Sequence, residues 1–330
     1  MKVVFPETPD RAGIDRSTEI SMLPEGTISS IAIYDKNAVD NSRFYEEIRD
    51  ADIIINNYVY FDRKAIDSME RCKVISFESN GYNEVDLEYA TEKNIGVVSI
   101  GEYCVQETAE NAIAMMMCLQ RKVLEYNQSV QNDYAWNCFL YPGMKRIEGQ
   151  TMSIFGLGHI GQHVARIAGK GLGMRVIAYD PFLPAEVAES VGVQLVDMDT
   201  ALAEADVVSV HMNLTAENRN MFNRETFVKM KKKPFFINEG RGEMVCEADL
   251  AWALESGVLR GAGIDMLESE HPNVKSSPLI GKPNLIIMPH VGFWSDTSHY
   301  LVRKYCVENA LNFYYGNYSD VHEIRNGVRP

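Results

Sequence analysis

Long apolar runs, cysteine pairs and an excess of positive charge are all absent from this sequence of 330 residues. Its densest apolar run, residues 112–119, falls far short of the roughly 18 residues that a membrane-spanning helix needs. The apolar stretch at residues 3–5 is likewise too short for the core of a leader peptide. We therefore expect a protein that neither enters a membrane nor carries a leader.

Cysteine chemistry is equally sparse. The sequence has no CxxC pair and no cluster of cysteine and histidine at metal-ligand spacing. A chain of this length needs no staple to fold, so we predict no metal site and expect free thiols in a reducing, cytoplasmic compartment. The six cysteines stand at positions 72, 104, 118, 138, 246 and 306.

Positive charge is in deficit, with 32 basic against 46 acidic residues and a formal net charge of −14. An acidic surface repels the phosphates of nucleic acids and of anionic lipids, so we expect neither as a partner. Apolar residues make up 46% of the chain and charged residues 24%, which is typical of an ordered globular protein. The length favours about two domains.

Short, almost continuously apolar runs alternate with longer amphipathic stretches along the chain. Such runs are typical of parallel strands covered by helices on both faces, so we predict an α/β protein with two parallel-sheet units. Helices are predicted from residue 107 to about 126 and from 297 to about 315, and periodicity does not assign the first of them to either unit. The predicted strands are Ile31–Tyr34, Ile53–Ile55, Val74–Phe77, Gly96–Ile100, Met152–Phe155, Val176–Tyr179, Val207–Val210, Phe235–Ile237, Gly263–Ile264 and Leu285–Met288.

A glycine-rich turn follows the predicted strand at residues 152–155. Gly156, Gly158 and Gly161 stand in GxGxxG spacing ahead of a helical pattern, and Asp180 ends the next predicted strand. In a dinucleotide site the first glycine makes the tight turn, the second lets the backbone approach the pyrophosphate, and the third lets helix and strand pack closely. The alternative is a simple glycine turn near a surface aspartate.

Asp180 also bears on whether the cofactor is NAD or NADP. A carboxylate there would accept hydrogen bonds from the adenosine ribose hydroxyls and repel a 2′-phosphate. Pro181 and Phe182 follow it, with no nearby arginine to bind such a phosphate. We therefore predict NAD rather than NADP as the cofactor.

Three further predicted strand ends carry polar side chains suited to one reaction. Arg241 offers a planar fork for a substrate carboxylate, and His290 offers a proton donor and acceptor. Glu270 could hydrogen-bond the imidazole and raise the pKa of His290, and Asp265 could receive the amide of nicotinamide. Together they suit the reduction of a 2-oxo acid.

Each of these residues also has a simpler interpretation. Arg241 could be a surface ion-pair partner, Glu270 a solvated loop charge, and His290 a buried structural histidine. His211 ends another strand without a catalytic neighbour, so we interpret it as structural or as lining the adenine side of the cofactor.

The sequence resembles the D-isomer-specific 2-hydroxyacid dehydrogenase family over nearly its whole length. Residues 86–97 resemble the family's D-L-x-x-A-x-x-x-G-I-x-V segment, and residues 103–111 resemble its Y…A-E-H entry to a long helix. Residues 146–150 resemble the segment that leads into the NAD domain. The resemblance implies a substrate domain at 1–100 and 298–330 that encloses a Rossmann NAD domain at 101–297, with dimerisation through the NAD domain.

The resemblance also assigns roles to individual residues. Arg241 would bind the substrate carboxylate, helped by backbone amides around Asn80, Gly81 and Tyr82, and Glu270 with His290 would form the acid–base pair. The residues that would line the cofactor site are His159, Ile160, Asp180, Met212, Asn213, Asn218, Glu239, Gly240 and Asp265.

Several residues depart from the family pattern. Asn111 stands at a position that is usually histidine, and Asn213 at one that is usually proline. Glu239 and Gly240 precede the arginine where small or apolar residues are usual, and His271 is an extra residue after Glu270. The carboxylate of Glu239 could perturb Arg241 or the nicotinamide side of the site.

The predicted substrate is a small or medium-sized apolar 2-oxo acid, such as pyruvate, a branched-chain oxo acid or phenylpyruvate. Residues 56–58 carry no arginine where the phosphoglycerate enzymes have them, and the Phe293–Trp294 pair resembles D-lactate and D-2-hydroxyisocaproate dehydrogenases. Tyr58, Tyr103, Phe293 and Trp294 would form an apolar wall, or would only pack the domain interface.

Two other functional classes remain open at this stage. One is a non-catalytic, NAD(H)-sensing regulator of the same fold. The other is a hydrolase-like NAD enzyme, which would require a catalytic lysine or thiol that the motifs do not supply.

Overall fold

The computed structural model of the chain describes residues 1–269 and 272–330. The chain divides into two compact units, one formed by Met1–Tyr103 with Ser295–Pro330 and the other by Cys104–Trp294. We call them the terminal unit and the central unit, after their places in the sequence. Each is an α/β unit built mainly on parallel strands, which confirms the predicted fold class.

The terminal unit, as far as it is described, is built on a six-stranded sheet. Its strands are β1 (Lys2–Glu7), β2 (Ile28–Ile33), β3 (Ile53–Asn56), β4 (Val74–Phe77), β5 (Gly96–Ser99) and β13 (Glu323–Ile324). Their order is β13-β5-β4-β3-β1-β2, and only β13 among them runs antiparallel to its neighbour.

Both faces of this sheet are covered, which explains the continuously apolar strands. Along β1, Val3 and Phe5 enter one core with Phe313, whereas Val4 enters the other core with Phe44. All five side chains are almost fully buried, so the hydrophobic effect acts on both faces at once. The covering helices are α1 (Ser17–Ser21), α2 (Ser42–Ile48), α3 (Arg63–Ser68), α4 (Leu87–Glu92) and α12 (Asp296–Tyr314).

The central unit contains a sheet of seven described strands, all parallel. They are β6 (Thr151–Phe155), β7 (Arg175–Tyr179), β8 (Gln194–Leu195), β9 (Val207–Val210), β10 (Phe235–Asn238), β11 (Gly261–Ile264) and β12 (Leu285–Ile287). Their order is β12-β11-β10-β9-β6-β7-β8. The chain therefore proceeds outward in one direction from β6 and in the opposite direction from β9, and a crevice for ligands is expected where the direction reverses.

The central helices begin with the long helix that periodicity did not assign. It is α5 (Val105–Arg121), and its apolar face packs in one core with helix α7 (His159–Arg166) and with residues of β6 and β10. The prediction of one helix to about residue 126 is wrong, because Lys122 adopts a left-handed conformation with φ 55° and a second helix begins after it. The remaining helices are α6 (Val123–Asp133), α7 (His159–Arg166), α8 (Ala185–Ser190), α9 (Met198–Ala203), α10 (Arg224–Val228) and α11 (Glu247–Glu255).

In the described part of the chain, no helix combines the length and apolarity that crossing a bilayer requires.

Candidate active site

The glycine-rich turn has the geometry that a bound pyrophosphate requires. Gly156 has φ 89°, and a Cβ there would lie 2.9 Å from the backbone nitrogen of Met212. A Cβ on Gly161 would lie 2.2 Å from the carbonyl oxygen of Gly156, so helix and strand need glycine to pack this closely. A Cβ on Gly158 would meet nothing within 4 Å, which leaves open space beside the first turn of α7.

Helix α7 begins with two of the residues predicted to bind the cofactor. His159 is its exposed first residue, and Ile160 is partly buried against the core beneath. The turn, the open space at Gly158 and the helix N-terminus together fit the phosphates of a dinucleotide.

Asp180 lies at the carboxyl end of β7, next to the turn. Its Oδ2 accepts a hydrogen bond from the backbone N–H of Leu157 at 2.9 Å, and its Oδ1 accepts from Phe182 and Leu183 at 3.1 and 3.2 Å. The carboxylate is thereby held beside the glycine turn. Its oxygens keep further lone pairs, which fits acceptance of hydroxyl hydrogens from a ribose.

The segment after β9 carries four residues of the predicted cofactor set. His211 hydrogen-bonds Ser209 Oγ through Nε2 at 2.8 Å, and burial lowers the pKa of His211 to about 3, so the ring is neutral. The side-chain amide of Asn218 donates to the carbonyl of Asn213 at 2.8 Å and shapes the exposed loop. Met212 contacts the glycine turn and lies beside Gly240.

The end of β10 presents Arg241 on a fixed turn. Buried Asn238 organises the turn, because its Oδ1 accepts from the amide of Gly240 at 3.0 Å and its Nδ2 donates to the carbonyl of Arg241 at 3.1 Å. A Cβ on Gly240 would clash with Met244 at 2.3 Å. The Arg241 side chain is exposed, and its Nη1 donates to the Gly240 carbonyl at 2.8 Å.

Asp265, which ends the neighbouring strand β11, holds the turn that carries His290. The Asp265 side chain is 1% exposed, and its two oxygens accept from the amides of Val291 and Gly292 at 2.9 and 2.8 Å. Its carbonyl accepts from the amide of His290 at 2.5 Å. The His290 side chain is partly exposed, at the edge where Arg241 also lies.

Glu239 lies between these elements and is almost fully buried, with 6% of its surface exposed. Its Oε1 accepts from Asn111 Nδ2 of α5 at 2.9 Å, and its Oε2 has no hydrogen-bond partner among the described residues. Burial and the nearby charge of Asp265 raise the pKa of Glu239 to about 9, although the Asn111 hydrogen bond opposes this. Glu239 is therefore a neutral acid at pH 7.

Two aromatic residues, Phe293 and Trp294, follow His290 after Val291 and Gly292. The ring of Phe293 packs edge-on against the imidazole with 5.8 Å between centroids, and Trp294, about half exposed, packs edge-on against Phe293 at 6.1 Å. This edge of the central unit thus carries an apolar surface beside the imidazole of His290.

The remaining predicted substrate residues belong to the terminal unit. Asn80, Gly81 and Tyr82 form the loop after β4, where Arg325 donates to the Asn80 carbonyl at 3.4 Å and stacks over the Tyr82 ring at 5.0 Å. Tyr58, half exposed after β3, lies under the guanidinium of Arg11 at 4.3 Å. Tyr103 is the last residue of the first terminal segment.

Two sequence positions of interest lie outside the described residues. These are Glu270, the predicted partner of His290, and the extra residue His271. The roles assigned to Glu270 and the other site residues remain predictions.

Sequence reasoning missed two residues that build the site. Asn238 organises the Arg241 turn, and only its place immediately before the Glu-Gly-Arg segment signals this role. Asn111 hydrogen-bonds Glu239 across 128 positions of sequence. Both residues are departures from the family pattern, but the sequence alone does not link them.

Comparison with known proteins was made for the sequence and for the fold. Residues 113–292 match the family model of the D-isomer specific 2-hydroxyacid dehydrogenase NAD-binding domain. The sequence is 36% identical over 249 residues to a D-3-phosphoglycerate dehydrogenase of Methanocaldococcus jannaschii, covering 75% of this chain and 47% of that protein. The chain thus spans about half the length of that relative.

Two further proteins match over most of their length. The sequence is 31% identical over 291 residues to a hydroxypyruvate reductase of Blautia hydrogenotrophica, covering 86% of this chain and 89% of that protein. The fold is similar to that of a D-lactate dehydrogenase from Aquifex aeolicus in complex with NAD and lactic acid, with a TM-score of 0.79 and 26% identity. That match covers 98% of this chain and 99% of the other.

These matches confirm the predicted family and NAD as the cofactor, which the geometry of the glycine turn and Asp180 independently fits. The chain belongs to the D-isomer-specific 2-hydroxyacid dehydrogenase family.

Proposed function

We propose that this protein reversibly reduces a small or medium-sized apolar 2-oxo acid to the D-2-hydroxy acid. When bound, NADH supplies the hydride that this reaction requires. Arg241 clamps the substrate carboxylate through two charge-assisted hydrogen bonds, and His290 donates a proton to the keto oxygen. In the reverse direction His290 accepts that proton, and Glu270 supports its protonated form.

The observation that carries this proposal is that Asp265 accepts three backbone hydrogen bonds from the turn that contains His290. Hydrogen bonds from His290, Val291 and Gly292 to one buried aspartate fix the turn at the carboxyl end of the sheet. Arg241 follows β10 and His290 follows β12, with only β11 between them. A carboxylate clamp and a proton donor on one strand edge are what reduction of a 2-oxo acid needs.

The apolar character of the substrate is inferred from the aromatic pair next to His290. Phe293 contacts the imidazole and Trp294 extends this surface, with about half of the Trp294 side chain exposed. An apolar substrate side chain would bury part of that surface, at roughly 25 cal/mol per Å². The substrate roles proposed for Tyr58 and Tyr103, and for the backbone amides around Asn80, Gly81 and Tyr82, rest on the family resemblance alone.

An anionic substrate is the second candidate, because several relatives are named D-3-phosphoglycerate dehydrogenases. In the terminal unit, Arg11 lies over Tyr58 and could meet a distal phosphate or carboxylate. The Nε of Arg11 also donates to Glu7 at 3.2 Å, so much of its charge is already compensated. This compensation favours the apolar substrate.

We further propose that two copies of the chain associate through the central unit. The segment that follows α5 leaves large apolar side chains exposed on this unit, and a contiguous patch of this kind is typical of a protein interface. Sedimentation of the intact protein should give the mass of a dimer, and replacing Trp136 by aspartate should shift it toward the monomer. The exposed side chains are Val123, Leu124, Val130, Tyr134, Trp136 and Phe139.

The experiment that tests the function follows NADH absorbance with a panel of 2-oxo acids. We expect the highest kcat/KM with pyruvate, 2-oxoisocaproate or phenylpyruvate, and lower values with glyoxylate, hydroxypyruvate and 3-phosphohydroxypyruvate. A preference for the phosphorylated acid would favour the anionic candidate. NADH binding without turnover of any panel member would contradict a dehydrogenase and favour the alternative of an NAD(H)-sensing regulator.

A further inference from the structure

Two buried carboxyl groups face each other at adjacent strand ends in the central unit. Glu239 directly follows β10 and Asp265 directly follows β11, and the two residues are 6% and 1% exposed. A Cβ built on Gly292 would lie 2.4 Å from Glu239 Oε2 and 2.8 Å from Asp265 Oδ2. The absence of a side chain at Gly292 therefore lets both oxygens approach the same point.

The two carboxyl groups differ in the number of hydrogen bonds that they accept. Both oxygens of Asp265 accept backbone hydrogen bonds, which stabilise its ionised form. Glu239 receives one hydrogen bond, from Asn111, while its Oε2 is buried without a partner among the described residues. The balance of these contacts makes Glu239 the group of the pair that holds a proton, consistent with its raised pKa.

The position of Glu239 and Asp265 along the sheet indicates which end of the cofactor would lie near them. The glycine turn follows β6 and Asp180 follows β7, so the adenosine half of a bound dinucleotide belongs on that side of the point where strand order reverses. The other half would extend across the reversal, toward β9, β10 and β11. Glu239 and Asp265 directly follow two of these three strands, so they would lie on the nicotinamide side.

The nicotinamide ring is the part of the cofactor whose charge changes in the reaction. It is a cation in NAD⁺ and neutral in NADH. A positive charge near a buried carboxyl group favours its ionised form, whereas a neutral ring leaves the proton in place. The attraction between a cationic ring and an ionised carboxylate would therefore strengthen the binding of NAD⁺ relative to NADH.

We propose that Glu239, paired with Asp265, distinguishes the redox state of the bound cofactor by its own ionisation. Glu239 keeps its proton with NADH and releases it to solvent when NAD⁺ binds, so the site carries one negative charge with the neutral ring and two with the cationic ring. This makes Glu239 a specificity-determining residue for oxidised over reduced cofactor. The inference rests on the proposed dehydrogenase function, because it assumes that both forms bind at this edge.

Other charged groups of the site bear on the same ionisation. Arg241 is two residues away on the same turn, and His290 follows the neighbouring strand β12. Glu107 lies one turn before Asn111 on the same face of α5. The contribution of Glu239 is therefore isolated by replacing that residue alone.

The test measures protons released on cofactor binding, by calorimetry at pH 8 in buffers of different ionisation enthalpy and without substrate. For the unmodified protein we expect NAD⁺ to release most of one proton and NADH to release almost none. Glu239→Gln keeps the acceptor for Asn111 but cannot ionise, so its NAD⁺ binding should release far less. The affinity ratio of NAD⁺ to NADH should rise about tenfold or more from pH 7 to pH 9.5 in the unmodified protein, and only weakly in Glu239→Gln.

The controls separate this inference from the proposed function. Glu243→Gln removes a more exposed carboxylate from the same loop and should leave the proton count unchanged. If Glu239→Gln does not fold, Asn111→Ala serves instead, because losing that hydrogen bond should move the midpoint of the affinity ratio to higher pH. Equal proton release with NAD⁺ and NADH in the unmodified protein, or release unaltered in Glu239→Gln, would overturn the inference and leave the dehydrogenase function standing. Failure of NADH to bind at all would instead contradict the proposed function.

Discussion

Asp265 fixes the backbone of His290, which adopts a left-handed conformation with φ 53°. The Asp265 carbonyl accepts from the His290 amide, and the Asp265 carboxylate accepts from the next two amides. Left-handed backbone is unfavourable for a residue with a Cβ, so it persists where hydrogen bonds over-determine it. The position of the imidazole is therefore set by a neighbouring strand and not by its own loop.

Replacing His290 should remove the proton donor while leaving the fold and the affinity for NADH unchanged. We expect His290→Ala to lower kcat by about 10²–10⁴-fold, the usual contribution of a general acid or base. His290→Asn provides a second variant, because asparagine tolerates left-handed backbone better than alanine. Steady-state NADH oxidation measures the loss, with NADH affinity as the control. A kcat within a factor of about three of the original would exclude His290 as the proton donor.

Arg241 should act through the substrate carboxylate. Loss of two charge-assisted hydrogen bonds in Arg241→Ala should lower kcat/KM for 2-oxo acids by about 10²–10³-fold. Arg241→Lys keeps the charge but loses the planar fork, so it should recover only part of the activity. Full activity in the lysine variant would show that charge alone suffices and that the bidentate clamp is not formed.

Asp180 should determine the choice between NADH and NADPH. Asp180→Ala removes a carboxylate that would repel a 2′-phosphate, so the kcat/KM ratio of NADH to NADPH should fall by about tenfold or more. Glu186→Ala removes a carboxylate from the first turn of the following helix and serves as the control. An unaltered cofactor ratio in Asp180→Ala would count against its ribose role.

Two glycines of the phosphate-binding turn should respond differently to alanine. Gly158→Ala adds a methyl group to open space, so we expect thermal stability to change little while NADH affinity falls by about tenfold. In Gly161→Ala the new Cβ would lie 2.2 Å from a backbone oxygen, so we expect destabilisation by about 1–3 kcal/mol. Thermal unfolding and NADH titration of both variants test this contrast. NADH affinity retained in Gly158→Ala would mean that the open space is not the phosphate site.

The raised pKa of Glu239 predicts a pH-dependent cost in stability. Between the ordinary value of 4.5 and about 9, the folded state holds a proton that the unfolded state has released. The unfolding free energy contributed by this group therefore falls as pH rises through that window and levels off above it. Relative to the unmodified protein, Glu239→Gln should gain stability from pH 5 to pH 9, on the order of a few kcal/mol. Urea unfolding at several pH values measures the difference, and a constant difference would contradict the prediction.

The fold could be predicted from sequence because buried parallel strands are unambiguous. The continuous apolar runs at β3, β4, β6, β9 and β10 coincide with the strands found. Strand β1 was not predicted, because its charged and proline-containing sequence Lys2–Glu7 lacks a clean apolar pattern. The unit to which α5 belongs could not be predicted either, since periodicity identifies an apolar face of a helix but not the surface that covers it.

The candidate site could be predicted only where a residue carries its own chemistry. Arg241, His290 and the three glycines are suggested by their order and spacing in the sequence, whereas Asn238 acts through backbone contacts that no motif records. Arg16 is a similar case in the terminal unit: it is 4% exposed and pairs with Glu7, Glu19 and Glu78, which are far apart in sequence or on different elements. Such contacts depend on tertiary packing.

The hydrogen bond between Asp180 and the Leu157 amide has a consequence for redesigning the cofactor preference. The carboxylate proposed to select the ribose also anchors the turn proposed to receive the phosphates, so one side chain would perform two tasks. A library randomised at position 180 alone would select among variants that have lost loop order together with phosphate repulsion. Successful designs for NADPH should therefore pair a cationic residue near the ribose with a separate acceptor for that amide.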